Sequence, residues 1–190
     1  ITGGEIKSNT SPWGAGMFVW QTKNVTFGGT AQIKGNDAGG TGDGGGLCIN
    51  SGAMNITGGT ISGNTACYGA GIKVEGGTAT IGGDVQITQN TAVDGLGKDN
   101  AGGGGICATG GTTNITGGTI SGNTSNYGAG LGIWNNGIVN AQNAVITGNK
   151  AIADGGGGIS IAANTLTLDG VTISNNEAPY ASGIGIWGEG

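Results

Sequence analysis

Apolar residues in this chain come in short bursts separated by polar and glycine-rich stretches, and the bursts recur in a fixed order. An Ile-x-x-Asn pattern appears seven times, as Ile6 with Asn9, Ile33 with Asn36, Ile61 with Asn64, Ile87 with Asn90, Ile120 with Asn123, Ile146 with Asn149 and Ile173 with Asn176. Each is followed by a few small residues, commonly Gly-Ala-Gly or Gly-Gly-Gly, and then an aliphatic residue: Met17, Leu47, Ile72, Ile106, Leu131, Ile159 and Ile184. These second anchors lie 25 to 34 residues apart, so seven units fill residues 1–190.

Within a unit the second anchor opens an alternating run, such as Leu131-Gly132-Ile133-Trp134 or Ile159-Ser160-Ile161-Ala162, with the period of two that marks a half-buried strand. Asn114-Ile115-Thr116 gives a second such run, repeated as Asn55-Ile56-Thr57 and Asn24-Val25-Thr26, and the Ile-x-x-Asn segment gives a third. The pattern therefore predicts three short strands per unit, with turns at Gly, Asn and Asp and no helix. One unit cannot bury its own apolar face, but stacked units can, so the chain is predicted to be an all-β, right-handed parallel β-helix of about seven coils. At the usual strand spacing it makes a rod on the order of 30 Å long. Asn9, Asn36, Asn64, Asn90, Asn123, Asn149 and Asn176 then fall at one turn, where stacked amides can bond to one another in a ladder.

Composition sharpens this reading. Glycine supplies 48 of 190 residues without a collagen period, and the regular Ile, Leu and Val exclude a flexible linker. With no histidine or arginine and a net charge of −5, the chain lacks the cation cluster that nucleic-acid binding requires. No apolar run approaches the roughly 18 residues of a membrane-spanning helix. The chain opens in mid-pattern at Ile1, which reads as one β-helix segment of a longer repeat protein.

Copying is visible in the repeat: ITGGTISGNTACYGAG from Ile56 recurs almost unchanged as ITGGTISGNTSNYGAG from Ile115. Odd coils carry an aromatic residue in the turn after the asparagine (Trp13, Tyr68, Tyr127, Tyr180), and even coils a longer acidic, glycine-rich loop, so the copied unit is a pair of coils. Ile-x-x-Asn followed by Gly-Ala-Gly-Ile or Gly-Gly-Gly-Ile resembles the FxxN and GGAI repeats of chlamydial polymorphic outer-membrane proteins and related bacterial surface β-helix proteins, with Ile where that family often has Phe. The resemblance covers all seven coils and implies the passenger or stalk of a secreted adhesin.

Candidate chemistry is sparse. Parallel β-helices that cleave polysaccharides resemble one another in using clustered carboxylates, often with calcium, an arginine or a histidine. Here Arg and His are absent, and of the acidic residues only Glu75 lies on a strand face, beside Asn50 and Thr109 of the neighbouring coils. A glycosidic acid/base pair would need two carboxylates about 5–10 Å apart. The expectation is therefore no catalysis and no cofactor. Calcium is a weaker alternative, with Asp43, Asp94, Asp99 and Asp154 in the even loops as ligands, although Asp in a Gly-rich turn is ordinarily a turn residue.

The outward position at the end of the second-anchor strand reads Trp20, Asn50, Glu75, Thr109, Trp134, Ala162, Trp187 down the coils. Three of four tryptophans on one line mark a contact surface, with Trp20, Glu75, Trp134 and Trp187 as ligand-contact candidates, or else an area covered by a loop or flanking domain. A Thr/Asn line beside the next strand suggests an ice-binding array, but Gly82, Gln142 and Asp169 break it. Cys48 and Cys107 share an outward column two coils apart, about 9.6 Å, beyond the reach of about 7 Å for a disulfide, so free thiols are expected.

The expected function is a non-catalytic structural or adhesive segment of a bacterial cell-surface or extracellular protein. The alternatives, in order, are a carbohydrate-binding module, a polysaccharide-active enzyme and an ice-binding protein. Glycans, proteins or further copies stacked end to end or laterally are the expected partners; nucleic acid and membrane insertion of this segment are not expected.

Overall fold

The computed structural model describes residues 1–95, 101–153, 155–162 and 164–188, and among these there are strands and turns but no helix. The chain winds into a parallel β-solenoid of about seven coils. The Ile-x-x-Asn segments, from Glu5–Lys7 to Thr172–Ser174, form a seven-stranded parallel sheet in chain order. The second-anchor runs, from Met17–Val19 to Ile184–Trp187, form another seven-stranded sheet, and a six-stranded sheet runs from Thr22–Phe27 to Thr165–Asp169.

These three strands per coil are joined by a short fourth. Thr65–Ala66, Thr91–Ala92, Thr124–Ser125 and Lys150–Ala151 pair just after the asparagine in the middle coils. Single bridges at Asp37 and Glu177 extend them outward. The motif gave no sign of this strand because its two residues are small or polar and show no alternation. One register also departs from the repeat: Thr26, not Asn24, pairs with Asn55, and Phe27 with Ile56. The register shifts between Thr22 and Val25, with Asn24 at a φ of 61°, and the shift carries Phe27 into the core, fully buried. Asn24 therefore does not belong to the polar line of the later coils.

The interior is a stack of aliphatic side chains. Ile33, Ile61, Ile87, Ile120 and Ile146 point in from one sheet, and Leu47, Ile72, Ile106, Leu131 and Ile159 from another. Burying each of these is worth roughly 1.5–3 kcal/mol. Thr113 interrupts the stack between Ala79 and Val139, fully buried and with its hydroxyl unpartnered.

The asparagine ladder is continuous. From Asn9 to Asn149, each Nδ2 and each backbone N–H donates to Oδ1 of the asparagine one coil on, at 2.9–3.1 Å. From Asn36 onward, the second N–H of each amide reaches back to the carbonyl of an isoleucine in the preceding coil, as Asn90 does to Ile61. The small residues before each second anchor follow from this ladder. A Cβ on Gly71 would stand 2.4 Å from the Gly105 carbonyl oxygen and 3.0 Å from the Asn90 amide nitrogen.

Candidate functional site

The second-anchor strands present an outward column that reads Phe18, Cys48, Lys73, Cys107, Gly132, Ser160, Gly185. A single sheet face in a narrow rod would leave such a column in water. Here the turns after the asparagine fold back over it, linked coil to coil by bridges Trp13 to Asp43, Asp43 to Tyr68, Tyr68 to Gly102 and Gly102 to Tyr127. Asp43 of the second coil and Gly102 of the fourth thus occupy the place of the odd-coil aromatics, which the differing loop lengths concealed in the sequence.

Beneath this cover Cys48 and Cys107 are fully buried and Lys73 is 4% exposed. All three cysteines are free thiols. Burial pushes Cys48 up to about 12 and Cys67 and Cys107 up to about 11, so all are neutral at physiological pH.

Lys73 is the unusual group. Its ammonium lies 4.9 Å from the centre of the Tyr68 ring, 3.7 Å from Cys107 Sγ and 4.0 Å from Asp43 Oδ2. Among the described residues it has no oxygen acceptor within hydrogen-bond distance. Burial works to lower its pKa, but the surrounding acidic groups, Cys107, Asp43 and Glu75 among them, outweigh burial and hold it above the usual lysine value. With Cys107 a neutral thiol, Asp43 and Glu75 are the counter-charges that matter near neutral pH. Asp43 is itself pushed up to about 6 by burial, with Glu75 adding to the rise and Lys73 opposing it. One of its oxygens, Oδ1, is buried without a partner. Glu75 accepts a 2.6 Å bond from the amide of Asn50.

These groups open into a surface cleft of about 520 Å³, lined by Asp43, Tyr68, Lys73, Glu75, Thr109, Trp134 and Asn135. Trp134 forms its aromatic wall and is half-buried rather than exposed, because its six-membered ring rests on bare backbone. A Cβ on Gly132 would stand 2.0 Å, and one on Gly102 2.3 Å, from its Cη2 atom. Trp187 repeats the arrangement over Gly155 and Gly185 and donates from Nε1 to Ser160 Oγ at 3.0 Å. Trp20 has Phe18 two residues before it, where Trp134 and Trp187 have glycine, and it is 61% exposed.

The outward tryptophan line is therefore not one continuous strip. Trp134 and Glu75 come together in the cleft, while Trp20 stands on the first coil and Trp187 on the last. Of the calcium candidates, Asp43 faces Lys73 and Asp94 acts on Cys67, while Asp99 and Asp154 lie outside the described residues. Among the described residues no group of three or more acidic, Cys or His side chains could hold a metal. Sequence reasoning missed Lys73. Its signal was a lone cation in a column between two cysteines, a position that is read as exposed until the turns are known to cover it.

Comparison with family models, with curated proteins and with solved structures found no match for this chain.

Proposed function

We propose that this chain is a rigid, non-catalytic rod of a bacterial cell-surface or extracellular protein, and that it is adhesive through a carbohydrate-binding cleft at Trp134. The observation that carries the reading is the cleft itself, an aromatic wall held on glycines beside a buried lysine and two carboxylates, one of which, Asp43, has an oxygen without a partner. Concave sites of this kind, part apolar and with a few convergent polar groups, suit small-molecule recognition, and an indole face suits the C–H face of a sugar ring. The unbroken ladder and the stacked aliphatic core support the role of a stiff support, and the resemblance of Ile-x-x-Asn and Gly-Ala-Gly-Ile to chlamydial polymorphic outer-membrane repeats supports the surface location. A glycan array tests the reading. The wild-type chain is expected to bind a defined subset of glycans, and Trp134→Ala, with unchanged circular dichroism, to lose them; silence of the folded wild type on the whole array would reject carbohydrate recognition.

A further inference from the structure

Building on the carbohydrate reading, we infer that the cleft takes a neutral sugar unit and reads one of its hydroxyls between the Lys73 ammonium and the Asp43 carboxylate. Lys73 is more than nine-tenths buried and lines the cleft, yet its three N–H donors meet no oxygen of the described residues within bonding distance. Opposite it, Asp43 Oδ2 is 4.0 Å away, too far for a direct hydrogen bond. A hydroxyl can both accept and donate. One oxygen placed at about 2.9 Å from the ammonium and about 2.7 Å from the carboxylate bridges that gap with an angle near 90° at the oxygen.

The charges choose among sugars. A uronate or sulfated sugar would gain Lys73 but meet Asp43 and Glu75, and an amino sugar would gain those carboxylates but set its own ammonium against that of Lys73. A neutral ring leaves the internal pairing intact while filling its open donors and acceptors, and bonds to charged partners are the stronger kind. Two other polar groups of the wall are already engaged, Glu75 by Asn50 and the Thr109 hydroxyl weakly by the Val74 carbonyl at 3.5 Å. The Lys73–Asp43 gap is where buried capacity remains.

The test uses isothermal titration of the whole chain with neutral hexose oligosaccharides (gluco-, manno- and galacto-series), polygalacturonate and chitosan oligomers. The expected result is binding of one neutral series at least tenfold tighter than of either charged polymer. Asp43→Asn and Lys73→Met should each weaken that binding at least tenfold. A monodeoxy series on the wild-type protein provides a readout that does not depend on the variants folding: one deoxy position should lose about tenfold; in a folded Lys73→Met or Asp43→Asn variant the same position should lose less, because one of its two partners is already gone. Binding abolished by Trp134→Ala but unchanged by Lys73→Met, Asp43→Asn and every deoxy sugar would overturn the bridge and leave the carbohydrate site standing. Tighter binding of polygalacturonate or chitosan would overturn the neutral class. No binding of any glycan would overturn the carbohydrate reading on which this inference rests.

Discussion

Replacing Asn90 with alanine tests the asparagine ladder at its centre. Asn90 is fully buried, and its side chain takes part in four hydrogen bonds. Oδ1 accepts from Asn64 N–H and Nδ2 at 3.0 and 2.9 Å, and Nδ2 donates to Asn123 Oδ1 and the Ile61 carbonyl at 3.0 Å each. Truncation strands the backbone N–H of Asn64 without its acceptor and removes one partner each from the Asn64 amide, Asn123 Oδ1 and the Ile61 carbonyl. A buried group left unpaired costs about 1–3 kcal/mol and a lost ordinary bond about 0.5–1.5 kcal/mol, so the expected loss is about 3–5 kcal/mol. Asn9 is the internal control, because it is exposed and no group of the described residues donates to its Oδ1. Asn9→Ala removes one amide bond, and Asn36 Oδ1 keeps its bond from the Asn9 backbone N–H, so the loss should be about 0.5–1 kcal/mol. Urea unfolding followed by circular dichroism measures both. Equal losses at the two positions, or a loss below about 1 kcal/mol at Asn90, would refute the claim that the ladder holds the coils together.

Other consequences are equally direct. Thr113→Val removes an unpartnered buried hydroxyl at nearly constant volume and should stabilise the chain by about 1 kcal/mol or more, read as a rise in Tm of about 2–4 °C. Gly132→Ala puts a methyl group where the Trp134 ring lies; it should cost about 1–3 kcal/mol of overpacking and shift tryptophan emission to the red as the indole is displaced into water. Asp43 is held up at about 6, so the folded state binds its proton more tightly than the unfolded state does. Its contribution to stability is full below the ordinary carboxylate range near 4 and is lost as pH rises through about 6, on the order of 2 kcal/mol. A melting series from pH 4 to pH 7 should show that decline, and Asp43→Asn should flatten it. The three thiols, all buried and held near 11 to 12, should resist iodoacetamide at pH 8 in the folded chain and react fully in urea.

The coil was readable from the sequence because its signals are local and repeated. Ile61-x-x-Asn64 and Gly69-Ala70-Gly71-Ile72 each state a period, an inward side chain and a turn within four residues, and seven copies make the register redundant. The site was not readable in the same way, since it depends on where turns of unequal length fold after leaving the repeat. Asp43 sits in a glycine-rich loop and Lys73 alone between two cysteines, and nothing in the sequence joins them until the bridges from Trp13 to Tyr127 roof the column. Glu75 and Trp134 could be picked out from their strand positions. The glycines at positions 132 and 185, two before each tryptophan, were the missed clue that Trp134 and Trp187 fold down against the sheet while Trp20, behind Phe18, does not. The slip of Asn24 has a similar origin: its run matches the motif, but burial of Phe27 sets the register.

The most direct test of the account is titration of a glycan selected by the array against three single variants, Trp20→Ala, Trp134→Ala and Trp187→Ala, each checked for its fold. Trp134→Ala alone should abolish binding, because of the three only Trp134 shares a cleft with Lys73, Asp43 and Glu75. Binding that survives Trp134→Ala, or that is lost with Trp20 or Trp187 instead, would place recognition elsewhere on the rod and contradict the account.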